Sequence, residues 1–357
     1  MHTHRARMCI TVWLPNEVLT EIIQNALKAD QAALCRVCKL LHALALPVLN
    51  REVTLRPDNL RLQDLEAFCS SMIESSVRAD SVRSLTFRNG ESYSVRGEEL
   101  IVESLKVMRR LEHLCIDDSR RHGGLVARLA GLTFPNLSSC SFMKAHHTSW
   151  KFDIVQFLNR HPTIIHLHLW YDAYGEDTHI ADGTLLPKLQ LYRGPLRLLR
   201  FFSTHNLVTV RIFWSARTSS LVEKLAAQTG PNVALDIEFM YDREILGVLV
   251  HLSTHMPHLK KLKLRCWDRN SVAADAAKQI TAYLPRFDCL AYIAFDHHGP
   301  GPNVDLDGKR KVLQSWANAS STLRGCCIDE VAWRKVGDEW EECSRNAFDI
   351  EAGFVTE

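Results

Sequence analysis

Leu259-Lys260-Lys261-Leu262-Lys263-Leu264 spaces its apolar residues as apolar-x-x-apolar-x-apolar. The last three positions alternate, which is the period of a strand with one face buried and one face free. The pattern returns as Val82/Leu85/Phe87, Leu111/Leu114/Ile116, Leu137/Cys140/Phe142 and Ile164/Leu167/Leu169. It continues as Leu207/Val210/Ile212, Ala234/Ile237/Phe239, Leu290/Ile293/Phe295 and Leu323/Cys326/Ile328. Successive copies start 25 to 33 residues apart, except for a step of 43 between Ile164 and Leu207, where Leu186-Pro187-Lys188-Leu189 marks a degenerate copy. Between the strands, Gly97–Arg109, Phe152–Arg160, Ser219–Gln228, Asp242–His255, Val272–Leu284 and Asp307–Ala319 carry helical periodicity. Breakers such as His161-Pro162, Gly230-Pro231 and Met256-Pro257 close several of these helices before the next strand. A single strand–helix unit cannot bury its own apolar face, so the units must stack. The expected fold class is α+β repeat: a curved α/β solenoid with strands on its concave side and helices on its convex side. The rival, a doubly wound sheet, calls for longer and more continuously apolar strands.

The period and strand signature resemble irregular leucine-rich repeats. The regular Asn or Cys ladder of the well-kept families is missing, so uneven curvature is expected. The repeats occupy 81–330. Upstream, an amphipathic segment within 56–80 (Leu60, Leu62, Leu65, Phe68, Cys69, Met72, Ile73) reads as a linker helix. Downstream, 331–357 holds Trp333 and Trp340 among acids and reads as a cap over the last repeat.

Ahead of the repeats lies Leu14–Leu55. Pro15 suits the first turn of a helix, and Val18, Leu19, Ile22, Ile23 and Ala26 form one apolar face. Asp30 can cap a second helix carrying Leu34, Val37, Cys38 and Leu41, with Pro47 as its stop and Val53 and Leu55 in a short strand. Three short helices in about forty residues bury too little surface to stand alone. Leu14-Pro15-x-Glu17-Val18-Leu19-x-x-Ile22-Ile23, followed by Leu34-x-x-Val37-Cys38-Lys39-x-Leu41, resembles an F-box over residues 10–55. One departure is Leu40, where many F-boxes carry an aromatic residue. The whole arrangement is similar to fungal-type F-box proteins with weak repeats. The resemblance implies docking on a Skp-type adaptor and, through it, on a cullin scaffold, with Leu14, Pro15, Val18, Leu19, Ile22, Val37 and Leu41 as adaptor anchors. Some of these must serve the module's own core instead, and the plainer reading makes the whole segment a helical cap on the repeats.

Composition favours a folded receptor: 46% apolar residues, 24% charged and a net charge of +2. Near-neutral charge gives no reason to expect nucleic acid or a membrane as a partner. No apolar run suits a secretory signal or a membrane span, and Phe354-Val355-Thr356-Glu357 carries no prenylation cysteine. A cytoplasmic and/or nuclear location is expected. The 11 cysteines then read as small buried hydrophobes in a reducing compartment. Cys35-x-x-Cys38 with His42 has the spacing of three zinc ligands, but lacks a fourth nearby and coincides with a core face. Cys326 and Cys327, adjacent on a strand, point to opposite faces. Phosphate loops, nucleophile elbows and metalloprotease motifs are absent, and the pairs His146-His147, His297-His298 and Asp117-Asp118 lack ligand or acid–base spacing. No catalytic residue, cofactor or metal is expected.

If the pattern residues point inward, the intervening ones point outward. They include Asp117, His166 and Glu238, and a proposed target-binding set of His113, His168, Trp170, Arg211, Phe213, Lys261, Lys263, Arg265 and Tyr292. Solvent-facing aromatics ringed by charge are common interface anchors. The Lys261/Lys263/Arg265 stripe suits an acidic or phosphorylated segment, with solvated charge as the plainer reading. Two functions fit: a substrate receptor of an SCF-type ubiquitin ligase, acting by proximity, or a binding scaffold that does not promote ubiquitination.

Overall fold

The computed structural model describes residues 14–55, 62–89, 95–118, 124–143, 150–170, 184–199, 202–203, 206–214, 221–230, 232–241, 243–267, 273–298 and 306–354. Fifteen strands are present among them. They are β1 (Glu52–Leu55), β2 (Ser84–Asn89), β3 (His113–Asp118), β4 (Ser139–Met143), β5 (His166–Trp170), β6 (Thr184–Leu185), β7 (Leu191–Pro195) and β8 (Phe202–Ser203). The rest are β9 (Thr209–Phe213), β10 (Ala234–Phe239), β11 (Lys261–Cys266), β12 (Tyr292–His297), β13 (Gly325–Ile328), β14 (Val331–Val336) and β15 (Glu339–Cys343). Thirteen make one open sheet in chain order, while β6 and β8 pair separately. Pairing is parallel from β1 to β13 and antiparallel across β14 and β15.

The register carries the repeat. Leu85, Leu114, Cys140 and Leu167 are successive partners across β2–β5, as are Leu235, Leu262, Ile293 and Cys326 across β10–β13. All eight are buried. A single apolar core cluster extends from Leu55 to Trp333, as expected when every unit completes its burial against its neighbours. The chain is an α/β repeat solenoid.

The helices are α1 (Asn16–Asn25), α2 (Lys28–Leu34), α3 (Lys39–Leu49), α4 (Leu62–Glu74), α5 (Ser76–Ser81), α6 (Val95–Val107) and α7 (Gly124–Leu129). They continue as α8 (Trp150–Asn159), α9 (Leu196–Leu199), α10 (Val222–Gln228), α11 (Arg243–His255), α12 (Ala273–Tyr283), α13 (Leu306–Ala319) and α14 (Arg345–Ala352).

Several local expectations are corrected. The N-terminal module has the three short helices expected, but the run from Asp30 to Leu41, read as one helix, is divided between two of them. α2 stops at Leu34, and α3 restarts after Cys38, whose sulfur accepts the Leu41 N–H at 3.5 Å. Asp30 therefore sits in the first turn of α2, favoured by the helix dipole rather than by a capping bond. Pro47 lies inside α3, which runs on to Leu49 at the loss of one backbone bond. The linker helix is broken at Ser75, which caps α5 by accepting the Arg78 N–H. In β10 the ladder residues are Leu235 and Ile237, so Ala234 faces the opposite side from the one expected and joins a second, smaller cluster.

The degenerate copy is β7, behind the buried Leu186 and Leu189. Tyr192 takes the ladder position there, and its hydroxyl donates to Pro195 O at 2.8 Å. Two residues on, the ladder holds Gly194, where a Cβ would meet Leu169 O at 2.7 Å and the Tyr192 hydroxyl at 2.8 Å. The large ring fills the space that a side chain at 194 would need.

Candidate interaction surfaces

The N-terminal module uses a small part of its apolar surface for itself. Ile23 and Ala45 are its buried apolar residues. Buried Gln31 joins them, donating its amide to Ile23 O and Ala26 O, both at 3.0 Å, so it satisfies the last carbonyls of α1. Lys28 donates to Leu49 O at 3.0 Å and does the same for α3. Leu19, Leu34, Leu41, Leu44, Leu46 and Leu49 are half-buried, and others face water. Leu14, Val18 and Ile22 recur one helical turn apart along the start of the module, and Ile22 is 53% exposed beside Ile23 at 1%. Val37 is 65% exposed, and Leu27 and Leu40 are open as well. Among the described residues, six of the sixteen exposed large apolar side chains fall within 14–40, far denser than the rest of the chain.

Of the seven expected anchors, Leu14, Pro15, Val18, Ile22 and Val37 are exposed, and Leu19 and Leu41 are half-buried. Leu27 was not singled out in the sequence, because a lone apolar residue between two helices carries no periodic signal. The Cys35/Cys38/His42 group is not a metal geometry. The two cysteines flank the break between helices, and the His42 ring bonds Cys35 O at 2.8 Å. Among the described residues no cluster has the makings of a metal site, and no helix is long and apolar enough to cross a membrane.

The second surface is the face of the sheet opposite the main core. Strand alternation sends the expected target-binding residues there, but it does not expose them all. Register places Arg193, Arg211, Asp236 and Lys263 in one row, and Phe213, Glu238, Arg265 and Asp296 in the next. Arg211 pairs with Glu238 and, at 3.7 Å, with Asp236. Arg265 pairs with Asp236 at 3.0 Å, and Lys263 lies 3.8 Å from Asp296. Arg211, Lys263 and Arg265 are all buried, against the expectation of a solvated basic stripe. Burial raises the Glu238 and Asp236 carboxyls above the usual carboxylate range, despite their arginine neighbours.

The cover over β11–β13 is α14. Ser344 caps it by accepting the Ala347 N–H, and Gly353 ends it in the left-handed conformation at φ 72°. Its Asp349 reaches Lys263 at 3.4 Å, and Arg345 clamps Asp296 with two nitrogens at 2.6 and 2.8 Å. Phe348 and Phe354 close the second apolar cluster against Ala234, Ala294 and Cys327. Tyr292 is likewise not a free aromatic. Its hydroxyl donates to Glu351 at 2.8 Å, and its titration is pushed up to about 12, by burial first and by Glu351 next.

Trp170 and Phe213 do come together, half-buried and edge to face at 4.8 Å. Arg193 stands over the Trp170 ring at 5.2 Å, and the His168 ring is 6.2 Å away. His113 is exposed on β3, with β4 between it and the β5 residues His168 and Trp170, and Lys261 is half-buried beside α14. The expected set therefore divides into a Trp170 cluster, a buried ion network, a region under α14 and the isolated His113. Arg193, Asp296, Arg345 and Asp349 were missed. The Ser344 and Gly353 caps were the available signal for the helix that brings in two of them.

The architecture defines a class: an open α/β repeat solenoid with an N-terminal helical module whose apolar face has no partner within the described chain. No protein-family model matches the chain, and no curated protein does. Among solved structures it is similar to the leucine-rich repeat-containing protein LegL7 from Legionella pneumophila, at 13% identity over 78% of this chain and 88% of that one, with a TM-score of 0.45. It is also similar to a protein from Bacteroides fragilis, at 12% identity over 81% of this chain and 75% of that one, with a TM-score of 0.43.

Proposed function

We propose that this protein is a substrate receptor of an SCF-type ubiquitin ligase. The helices of residues 14–49 dock on a Skp-type adaptor, and the solenoid, built on the leucine-rich-repeat plan, holds a target protein. One observation carries the reading: Leu14, just before α1, and Val18 and Ile22 within it face water, although α1 packs on α3 and the neighbouring Ile23 is buried. A helical cap serving only the repeats would turn its apolar stripe inward. The chain itself performs no chemistry in this account. It raises the effective concentration of a target lysine near a charged conjugating enzyme held on the cullin scaffold. The half-buried Trp170–Phe213 pair with Arg193 is the natural anchor for the target.

Co-expression with a Skp-type adaptor tests the reading. The two should co-purify, and Leu14→Ala with Pro15→Ala should weaken the complex. Failure to co-purify contradicts the proposal. If a target captured through Trp170 gains no ubiquitin in a reconstituted ligase, the protein is a scaffold instead.

A further inference from the structure

A cleft of about 840 Å³ opens beside the lower ends of β11–β13, outside the buried ion network. Its walls come from three places: the chain entering those strands, the turn between β14 and β15, and the end of α14. Four cations line it (Lys260, Lys261, Arg324 and Lys335) against two carboxylates, Asp288 and Glu351. Glu351 accepts from the Tyr292 hydroxyl at 2.8 Å and Asp288 lies 3.3 Å from the ring of His258, contacts that leave both negative charges in place, so the lining carries an excess of two positive charges (four cations less two carboxylates). Among the cations, Lys260 also reaches Asn232 at 2.7 Å, a neutral partner that leaves its charge uncompensated. The backbone sets Arg324 and Lys335 side by side. Lys335 N donates to Arg324 O at 2.7 Å, and Gly337, at φ 61°, turns the hairpin so that it borders the cleft.

A second hollow of about 400 Å³ shares Lys260 and Cys289 with the first and runs on past His255 and His258. The two hollows adjoin at these shared residues and are taken together as one trough. A trough of several strand widths takes an extended chain better than a small molecule, and its charge excess selects a negative one. We infer that this trough binds an acidic, extended peptide segment of a partner protein. The inference rests on the receptor reading above, for which it names the chemistry of the target. It moves the acid-binding role from Lys263 and Arg265, which are neutralised and buried, to Lys261, Arg324 and Lys335.

The test uses the full chain and a fluorescent twelve-residue peptide of alternating Glu and Ser, with its Gln-for-Glu counterpart as control. The acidic peptide should bind in an anisotropy titration at 150 mM salt, and the neutral one at least tenfold more weakly. Arg324→Glu with Lys335→Glu should cost at least tenfold, and Arg324→Gln with Lys335→Gln should cost less. Both side chains are exposed, so the fold should tolerate either pair. The same reversal at exposed Arg109 and Lys224, far from the trough, should leave binding within twofold. Cys289 is exposed in the trough, and its alkylation should slow when the acidic peptide is present while that of exposed Cys38 does not. Equal affinity for the two peptides, equal loss from the remote reversal, or an unprotected Cys289 overturns the inference. Adaptor co-purification of the same variants separates the two proposals. Peptide binding without adaptor binding leaves the trough standing and removes the ligase role, and the converse removes only the trough.

Discussion

His161 has both ring nitrogens committed, Nδ1–H donating to Phe157 O at 2.7 Å and Nε2 accepting the Phe134 N–H at 2.8 Å. Burial lowers its titration below the ordinary histidine value, and protonation would set a second N–H against that of Phe134. Between its folded value and about 6.5, the unfolded chain therefore binds the extra proton. The stability contributed by neutral His161 is complete above about 6.5 and is lost as pH falls through the folded value. Denaturant titrations from pH 8 to 5 should show a steeper loss for the wild type than for His161→Gln; parallel slopes would contradict this. Arg211 poses the opposite problem. Arg211→Ala removes the nearest partner of the buried Glu238 and one of two arginines beside Asp236, leaving Arg193 at 3.8 Å and Arg265 at 3.0 Å, and should cost about 1–3 kcal/mol in urea at an unchanged m-value. A cost below about 1 kcal/mol would mean that other groups compensate for both acids. Neither residue's environment was legible in the sequence. Alternation shows which face a side chain takes, but not what covers that face or which acid from another repeat lies opposite.

At the scale of elements, the strands were the legible part, because three apolar residues at fixed spacing leave little freedom of phase. The exception, β10, has apolar or small residues at Val233, Ala234 and Leu235 in succession, so more than one frame fits. The break between α2 and α3 escaped notice because its cap is a cysteine sulfur, a weak acceptor outside the usual capping set. In α1 the division between core and surface can be tested on adjacent residues. Ile23→Ala should cost about 2–5 kcal/mol and Ile22→Ala less than about 0.5 kcal/mol in the free chain. Comparable losses at the two positions would mean that Ile22 is covered. For α14, Phe348→Ala should cost about 3–5 kcal/mol by opening the second cluster, while leaving adaptor binding intact.

For the molecule as a whole, the decisive feature is continuity. β1 ends the N-terminal module and is also the first strand of the sheet, with Val53 and Leu55 opposite Leu85 and Phe87. The proposed receptor role would use this continuity, since a target on the solenoid would be kept at a set position relative to an adaptor on α1. The spacing left the number of true repeats open, and it carried no sign of the return of the C-terminal helix onto the opposite face, since that contact joins residues 86 apart. The central claim is that the apolar stripe on α1 is reserved for an adaptor. Calorimetric titration of a purified Skp-type adaptor into the wild type and into Val18→Glu with Ile22→Glu tests it most directly, with thermal melts of both proteins in parallel. The account predicts a tight complex for the wild type, a loss of at least about 2 kcal/mol of binding in the variant, and matching melts. Undiminished binding by the variant, or no binding by a well-folded wild type, would contradict it.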